Sequence, residues 1–310
     1  MSRRILVIKL GALGDVIQAL GPLAAIRRHH ADAAITLLTT QPFAAFLGAS
    51  PYADRIAVDP RAPWWRLDAL LALRRTLNQG FARIYDLQTS ARSSRYFRLL
   101  KRPRPAWSGI APGCSHPDAN PQRDRLHTIE RQAGQLHAAG IAEVPPPDLS
   151  WITADTTRFG LPPRYALLVP GGAAHRADKR WPAARYADLA RALAARGIAP
   201  VLLGTAAEGV LTASIAAEAP GAFDLSGHTS LEDLAVLGRA AALAVGNDTG
   251  PMHLLAVAGA PALVLFSNAS DPALCAPRGP HVDILRVRTL AELPVETVLQ
   301  RLSAASVFRP

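Results

Sequence analysis

An acidic residue follows the first apolar run of the chain, in the segment Lys9-Leu10-Gly11-Ala12-Leu13-Gly14-Asp15-Val16. The glycine-containing turn opens a helix and places Asp15 in its first turn, where the helix dipole favours a carboxylate. The G-x-x-G spacing is not that of a dinucleotide site, and an acid here would repel a pyrophosphate. Asp15 therefore suits a general base that deprotonates a hydroxyl, with a simple helix cap as the alternative. Lys9 is either its ion-pair partner or an exposed cation.

The strongest local signal is Gly246-Asn247-Asp248-Thr249-Gly250-Pro251-Met252-His253, which leads from a buried strand into a helix N-terminus. Backbone N–H groups, the Thr249 hydroxyl and the helix dipole together suit a diphosphate group. Asp248 could be an N-cap, but Asp, Thr and His within six residues exceed what capping requires. His253 falls one turn into the helix, where a buried structural histidine is the alternative.

Two more polar positions follow predicted strands of the second half. Lys179 lies in the loop from Pro170 to Pro182, where small residues allow close backbone approach and the lysine can meet a phosphate as a point charge. Glu208 ends the segment Gly204-Thr-Ala-Ala-Glu208, and a carboxylate there can accept hydrogen bonds from ribose hydroxyls. The alternatives are a solvated basic loop for Lys179 and a solvated helix face for Glu208.

The first half carries a basic stripe and an aromatic pair. Arg92, Arg95 and Arg98 recur every three residues, with Lys101 next, and would line one helical face. Such faces are usually solvated. The segment Trp64-Trp65-Arg66 suits a membrane interface, although a partly buried aromatic pair is the more common arrangement.

Length and charge bound the class of protein. The 310 residues, 49% of them hydrophobic, favour two domains of roughly 150 residues each. The net charge of +10 is concentrated in residues 1–150, which hold 20 Lys and Arg against 11 Asp and Glu, whereas residues 151–310 hold 14 against 13. A one-sided basic field indicates a polyanionic partner, with an arginine-rich composition as the alternative.

Several classes are disfavoured. No stretch approaches the roughly 20 apolar residues of a membrane span, and no signal peptide is apparent. The two cysteines, Cys114 and Cys275, lie far apart and form no C-x-x-C pattern, which fits the cytoplasm. A nucleic-acid partner is not expected, because there is no recognisable binding motif and the aromatic content is 6%.

Short apolar runs alternate with helical stretches along both halves. Strands are predicted at 4–9, 34–39, 55–58 and 82–86, and a long helix at 14–29, followed by a loop from 103 to 122. The pattern restarts after the proline-rich stretch 145–163, with further strands at 165–169, 199–203, near 223, 241–245 and 262–266. We therefore expect two α/β domains, 1–150 and 151–310, with ligands bound beyond the carboxyl ends of their strands. The last helix, about 292–310, is a candidate to pack back on the first domain.

Taken together, the motifs Gly11-x-x-Gly14-Asp15-Val16, Lys179-x-Trp181-Pro182, Gly204-x-x-x-Glu208 and Asp248-Thr249-Gly250-Pro251-x-His253 resemble glycosyltransferase family 9, in order and spacing. The resemblance implies a GT-B fold, with two Rossmann-like doubly wound domains facing an interdomain cleft. It also implies an acceptor on the first domain, a nucleotide-sugar donor on the second, and no metal or other cofactor.

The resemblance further assigns roles to residues. Asp15 is the base of an inverting displacement, Lys179 and the Thr249-Gly250 turn hold the diphosphate, Glu208 contacts the ribose, and Asp248 and His253 complete the donor pocket. Thr229 stands near the adenine, where the family often has Met, and Ala174-His175 stand where heptosyltransferases often have hydroxyl residues. Lys9, Arg92, Arg95 and Arg98 are candidates to bind the acceptor.

The expected function is transfer of a sugar, with heptose from ADP-heptose as the default, to a lipopolysaccharide core or related acidic glycolipid. A cytoplasmic enzyme with peripheral contact at the inner membrane follows from this expectation. Two alternatives are a catalytically silent binder of anionic lipid or glycan, and a transferase whose acceptor is a protein.

Overall fold

The computed structural model describes residues 3–172 and 176–304. The chain divides into two compact units between Trp151 and Ile152, close to the predicted division at residue 150. No helix in the described part of the chain is both long and apolar enough to cross a bilayer.

In the first unit, parallel strands alternate with helices. The strands are β1 (Arg4–Ile8), β2 (Ala34–Thr39), β3 (Arg55–Val58), β4 (Arg83–Asp86), β5 (Ala106–Gly109) and β6 (His116–Pro117). The helices are α1 (Leu13–Gln18), α2 (Leu20–His29), α3 (Gln41–Gly48), α4 (Leu67–Leu77), α5 (Ala91–Tyr96) and α6 (Thr128–Ala138). The strands pair in the order β3-β2-β1-β4-β5-β6.

The second unit repeats this arrangement. Its strands are β7 (Tyr165–Val169), β8 (Ala199–Leu202), β9 (Phe223–Asp224), β10 (Leu243–Asn247), β11 (Ala262–Phe266) and β12 (Val282–Arg286). Its helices are α7 (Ala183–Ala194), α8 (Gly209–Glu218), α9 (Leu231–Ala240), α10 (Gly250–Ala258), α11 (Pro272–Cys275) and α12 (Val295–Ala304). The strands pair in the order β12-β11-β10-β7-β8-β9, all in parallel.

Both sheets have the strand order of a Rossmann fold, because the fourth strand of each unit lies beside the first. The central strands β7, β10 and β11 are buried along their whole length, as expected for a parallel sheet covered on both faces. The predicted fold class, two Rossmann-like doubly wound domains, is confirmed. The facing of the two sheets across a cleft stays a prediction.

The final helix α12 contributes Val298 and Leu302 to the core of the second unit, where α7 contributes Leu189 and Leu193. Residues 305–310 of the predicted terminal segment lie outside the described residues.

Three predictions about elements were wrong. The single helix expected at 14–29 is broken at Ala19 into α1 and α2, because Pro22 lacks the N–H that would continue the helical bonding. The loop expected at 103–122 contains β5 and β6, which are too short and too rich in Gly and Pro to give a strand signal. The basic stripe does not follow one helix, since α5 ends at Tyr96 and a 3-10 turn follows over Phe97–Leu99.

Candidate functional site

The candidate residues of each unit lie where the strand order reverses. In the first unit this point is between β1 and β4, and in the second between β7 and β10. Loops that leave adjacent strands in opposite directions open a crevice at the carboxyl edge of a parallel sheet, which is the usual ligand position in such folds. Asp15 follows β1, whereas Lys179 follows β7 and Asp248 follows β10.

Asp15 lies in the first turn of α1 and is half-buried. Its Oδ2 accepts a hydrogen bond from the Ala12 N–H at 3.2 Å, so the carboxylate caps its own helix. The same carboxylate lines a cavity of about 570 Å³ together with Phe43 and Gln88. A cap facing a cavity of this size is compatible with a catalytic base, so the two interpretations of Asp15 do not exclude each other.

The backbone before Asp15 approaches its neighbours closely. Gly11 has φ of +126°, and a Cβ there would lie 2.8 Å from Cε2 of Phe43. Only glycine tolerates both conditions without strain. The first glycine of the motif, Gly11, is therefore required by the structure, because it lets the Phe43 ring pack against the turn.

Lys9 is buried, so the interpretation of this residue as an exposed cation was wrong. Its Nζ donates to the Leu87 carbonyl at 3.3 Å. Burial lowers the pKa of Lys9, and the carboxylates of Asp15 and Asp86 act in the opposite direction. Lys9 thus lies in the electrostatic field of Asp15 but beneath the surface.

Asp86 and Gln88, at the carboxyl end of β4, were not predicted as site residues. Asp86 Oδ1 accepts from the N–H groups of Gln88 and Thr89, both at 3.1 Å. Gln88 Oε1 in turn accepts from the Leu10 N–H at 2.8 Å. These bonds tie the loop after β4 to the loop that carries Asp15. Polar residues at the end of a predicted strand and just after it were the available signal for this pair.

The arginines predicted to bind an acceptor have different environments. Arg92 is held by Asp59 at 3.5 Å, by the Tyr96 hydroxyl at 2.9 Å and by the Ala62 carbonyl at 3.0 Å. Arg95 is exposed, with its guanidinium carbon 5.6 Å from the centre of the Trp64 ring, and Arg98 is also exposed. None of the three is among the residues that line the cavity at Asp15, where Arg61 is the lining cation.

In the second unit, the loops after β7 and β10 are joined by an ion pair. Lys179 Nζ lies 2.6 Å from Asp248 Oδ2, and the Ser270 hydroxyl donates to the same oxygen at 2.7 Å. The side chain of Asp248 is 7% exposed and that of Lys179 is 20% exposed. The ammonium group is therefore fixed beside the N-terminus of α10 rather than free in solvent.

Asn247, which the sequence analysis did not single out, organises the same region. It is buried, and its Nδ2 donates to the carbonyls of Pro170 and Gly171 at 2.8 and 3.1 Å. Its Oδ1 accepts from the Trp181 N–H at 3.0 Å and the Tyr186 hydroxyl at 3.1 Å. Asn247 thus fixes both ends of the loop that carries Lys179. Residues Ala174 and His175 of this loop lie outside the described residues.

Thr249 is the N-cap of α10 in extended conformation, and Gly250 is the first residue of the helix. Pro251 has no N–H, and the Met252 N–H donates to the Thr249 carbonyl at 3.1 Å. This helix end can therefore offer an anion at most the N–H groups of Thr249 and Gly250. His253 lies one turn further on and is 7% exposed. Thr229 is half-buried and lies next to Ser230, the N-cap of α9, in the loop that follows β9.

Glu208 binds the protein through both carboxylate oxygens. Oε1 accepts from the Gly172 N–H at 2.9 Å, and Oε2 accepts from the N–H and the hydroxyl of Thr205 at 2.8 and 3.0 Å. A carboxylate has about four lone-pair positions, so room remains for one more donor. Glu208 therefore positions the loop after β7 and could still accept from a ligand hydroxyl.

Comparison with known proteins places this geometry in a family. The profile described as Glycosyltransferase family 9 (heptosyltransferase) matches residues 70–302. Lipopolysaccharide heptosyltransferase 2 of Salmonella typhimurium (strain LT2) is 32% identical over 116 residues, which are 36% of this chain and 33% of that protein. The protein of the same description from Escherichia coli (strain K12) is 31% identical over 116 residues. The matched region spans about a third of the length of these relatives.

Solved structures share the fold over almost the whole chain. The family 9 glycosyl transferase of Veillonella parvula DSM 2008 is similar with a TM-score of 0.84 at 20% identity, covering 97% of this chain and 96% of that one. E. coli ADP-heptose lps heptosyltransferase II gives a TM-score of 0.78 at 20% identity over 97% and 98% of the two chains. E. coli heptosyltransferase WaaC with ADP gives 0.75 at 21% identity over 97% and 99%. With most of its length matched by the family profile, the chain belongs to glycosyltransferase family 9.

Proposed function

We propose that this chain transfers heptose from ADP-heptose to the core of lipopolysaccharide or to a related phosphorylated glycolipid, with inversion at the anomeric carbon. The observation that carries the proposal is the ion pair between Lys179 and Asp248 beside the N-terminus of α10. A fixed cation and the backbone N–H groups of the Thr249-Gly250 turn together suit the diphosphate of a nucleotide sugar. The similarity to lipopolysaccharide heptosyltransferases supports heptose as the sugar.

In the proposed reaction, Asp15 removes the proton from a hydroxyl of the acceptor. The acceptor oxygen forms a bond to the anomeric carbon of heptose while the bond from that carbon to the β-phosphate oxygen breaks. The electron pair leaves with ADP, and attack from the opposite face inverts the configuration. Asp15 is suited to this step because it lines a cavity of about 570 Å³, large enough for a sugar, and is held by its own helix.

Negative charge grows on the leaving diphosphate. Lys179 supplies a positive charge there, and the Thr249-Gly250 turn supplies backbone N–H groups. Such prearranged groups stabilise a transition state because they need no reorganisation when the charge develops. In the described part of the chain, no cluster of three or more His, Cys, Asp or Glu side chains is placed to hold a metal ion. We propose that Lys179 and the N-terminus of α10 stabilise the leaving diphosphate without a metal or other cofactor.

Glu208 and Thr229 are proposed to contact the nucleoside. Both lie at the carboxyl edge of the second sheet, after β8 and β9 respectively. Glu208 would accept from a ribose hydroxyl through its remaining lone pair, and Thr229 would lie near the base. His253 and Asp248 would complete the pocket around the diphosphate. A cytoplasmic position at the inner membrane is part of the same proposal, because a glycolipid acceptor would be presented there.

The test is a transfer assay with ADP-heptose and a heptose-deficient lipopolysaccharide acceptor in the presence of EDTA. The measured quantities are the amount of ADP released and the mass of the acceptor. Wild type should add one heptose. Asp15→Asn should lower kcat by about 100-fold or more and leave the Kd for ADP unchanged. Glu296→Gln, an exposed acid on α12, is the matched control. Transfer at the wild-type rate by Asp15→Asn, or strict dependence on an added divalent metal, would contradict the proposal.

A further inference from the structure

Large hydrophobic side chains are exposed in one region of the first unit. Of the five that are exposed in the described residues, four lie between positions 58 and 71: Val58, Trp65, Leu67 and Leu71. Trp65 is 80% exposed and Leu67 69%. Single exposed apolar residues need no explanation, but a cluster of this kind marks an interaction surface.

The neighbouring segment is strongly cationic. Residues 87–117 contain six Lys and Arg and no Asp or Glu. Five of these cations are exposed, namely Arg95, Arg98, Lys101, Arg102 and Arg104. Among the described residues, none of the five forms an ion pair. Exposed Arg74 and Arg75 near the end of α4 are also without an acidic partner there.

The apolar and cationic groups are adjacent because α4 and α5 lie side by side. The Trp64 ring, just before α4, is 5.0 Å from the guanidinium carbon of Arg92 and 5.6 Å from that of Arg95. At the other end of α4, Asn78 donates to the Leu99 carbonyl at 3.0 Å and accepts from the Lys101 N–H at 2.7 Å.

The buried sides of these two helices share one hydrophobic core, which contains Leu73 and Leu77 of α4 with Tyr96 and Phe97. Their outer sides therefore form one continuous surface. We call it the α4–α5 surface, and its members are Trp65, Leu67, Leu71, Arg74, Arg75, Arg95, Arg98 and Lys101.

We propose that the α4–α5 surface docks on a lipid bilayer that contains anionic lipids. Exposed Trp and Leu side chains enter the boundary between headgroups and acyl chains, and the cations bind the negative surface. Arg and Lys can reach headgroups while their methylene groups stay beside apolar side chains. The absence of acidic residues from segment 87–117 matches a negatively charged partner.

Docking would place the catalytic cavity at the membrane. The loop from Asp59 to Arg66 connects the two, because Pro60 and Arg61 line the cavity at Asp15 and Trp65 belongs to the α4–α5 surface. This step rests on the proposed function. A glycolipid that stays anchored in the bilayer could then present its sugar hydroxyl to Asp15 without leaving the membrane.

The test is co-sedimentation of the full chain with phosphatidylglycerol or phosphatidylcholine vesicles, without donor or acceptor. Wild type should bind the anionic vesicles and not the neutral ones. The variant Arg74→Glu/Arg75→Glu/Lys101→Glu, which leaves the candidate acceptor-binding arginines unchanged, should bind roughly 100-fold more weakly, because each cation near such a surface contributes about 1 kcal/mol, which is about fivefold. Exposed Arg125, Arg164 and Arg196, changed together to Glu, are the matched control and should reduce binding much less.

Fluorescence adds a signature that a general charge effect would not give. Trp107 and Trp181 are buried, Trp64 and Trp151 are half-buried, and Trp65 is the tryptophan with the large exposed ring. The emission of Trp65 should therefore shift to the blue when vesicles are added. The shift should be lost in Trp65→Phe, and Leu67→Ser/Leu71→Ser should bind more weakly than Val210→Ser, a matched change at a residue that is 88% exposed in the second unit.

The outcomes separate docking from catalysis. The charge variant should retain the wild-type kcat on an acceptor stripped of its acyl chains and lose turnover on the same acceptor in vesicles. Vesicle binding without any heptosyl transfer would support the docking proposal and overturn the proposed function. Vesicle binding that neither set of variants weakens would overturn the docking proposal. So would binding to an RNA oligonucleotide in place of vesicles, which would identify a nucleic acid as the partner.

Discussion

The ammonium of Lys179 lies 2.6 Å from the carboxylate of Asp248, and the pair bridges the loops that follow β7 and β10. An equivalent bridge exists in the first unit, where the Gln88 side chain accepts from the Leu10 N–H and links the loops after β4 and β1. In both sheets the bridge lies where the strand order reverses. Each unit therefore uses a side chain from one loop to fix the other at the edge where Rossmann folds bind ligands.

The Lys179 bridge predicts a loss of nucleotide affinity on mutation. Lys179→Ala removes the cation from the N-terminus of α10 and leaves the Asp248 carboxylate there, which repels a diphosphate. The Kd for ADP, measured by calorimetry in EDTA, should rise by about tenfold or more, the loss of one charge-assisted contact. Arg164→Ala, which removes an exposed cation of the second unit, is the matched control. An unchanged Kd in Lys179→Ala would remove the main support for the donor site.

The Gln88 bridge predicts a positioning role for this side chain. In Gln88→Leu the Leu10 N–H loses its acceptor, and the turn that carries Asp15 is free to shift. We expect kcat with a saturating soluble acceptor to fall by about tenfold or more, since small displacements of a catalytic group are costly. The Kd for ADP should not change, because the proposed donor residues all lie in the second unit.

A conservative variant distinguishes positioning from a general loss of fold. Gln88→Glu keeps an acceptor oxygen for the Leu10 N–H and should restore most of the activity. Gln122→Leu, at an exposed position of the first unit, is the matched control. If Gln88→Glu were as impaired as Gln88→Leu while both unfolded like the wild type, the hydrogen bond to Leu10 would not be the cause.

The sequence predicted the central strands well because these are continuous apolar runs. The strands at 34–39, 55–58, 165–169 and 262–266 have the predicted bounds. The short strands β5 and β6 were missed because their stability comes from pairing with a neighbouring strand rather than from their own sequence.

The candidate site was predictable only in part, for a physical reason. Asp15, Lys179 and Asp248 stand in recognisable motifs, and strand order alone brings Lys179 and Asp248 to one edge. Gln88 and Asn247 act through contacts with residues about 78 and 77 positions away, namely Leu10 and Pro170. A local sequence pattern does not contain such pairings. The burial of Lys9 could not be predicted either, because its contact with the Leu87 carbonyl is equally distant in sequence.

Asp86 predicts a pH dependence of stability. Burial raises its pKa to about 6, against hydrogen bonds from Ser93, Thr89 and Gln88 and the charge of Lys9. Between the unfolded value of 3.8 and about 6, the folded carboxyl keeps a proton that the unfolded chain has lost. The contribution of this carboxyl to the free energy of unfolding is therefore fully present below pH 3.8, and it is lost as the pH rises to about 6. The loss is on the order of 3 kcal/mol.

The measurement is the free energy of unfolding in urea at several pH values from 4 to 7, for wild type and Asp86→Asn. Because Asn does not titrate, the stability of the wild type relative to the variant should fall as the pH rises through this range. Asp124→Asn, at an exposed acid of the same unit, should run parallel to the wild type. A constant difference between wild type and Asp86→Asn over the range would refute the raised pKa.

Gly171 predicts a steric test of the Glu208 contact. A Cβ at Gly171 would lie 1.7 Å from Oε1 of Glu208, so Gly171→Ala must displace the carboxylate and break its bond to the Gly172 N–H. We expect a loss of about 1–3 kcal/mol in the free energy of unfolding, from overpacking and a lost hydrogen bond. Gly172→Ala is the matched control, since its Cβ would find its nearest neighbours in Arg180 at 3.8 Å.

The double variant Gly171→Ala/Glu208→Ala separates the strain at Gly171 from the function of the Glu208 carboxylate. Adding Glu208→Ala to Gly171→Ala removes the group that the new methyl displaces, so part of the lost stability should return. The affinity of the double variant for ADP should be lower than that of the wild type, because the carboxylate proposed to accept from a ribose hydroxyl is gone. Recovery of ADP affinity in the double variant would show that Glu208 only holds the loop after β7, and the nucleoside contact would then have to be assigned elsewhere on this edge of the sheet.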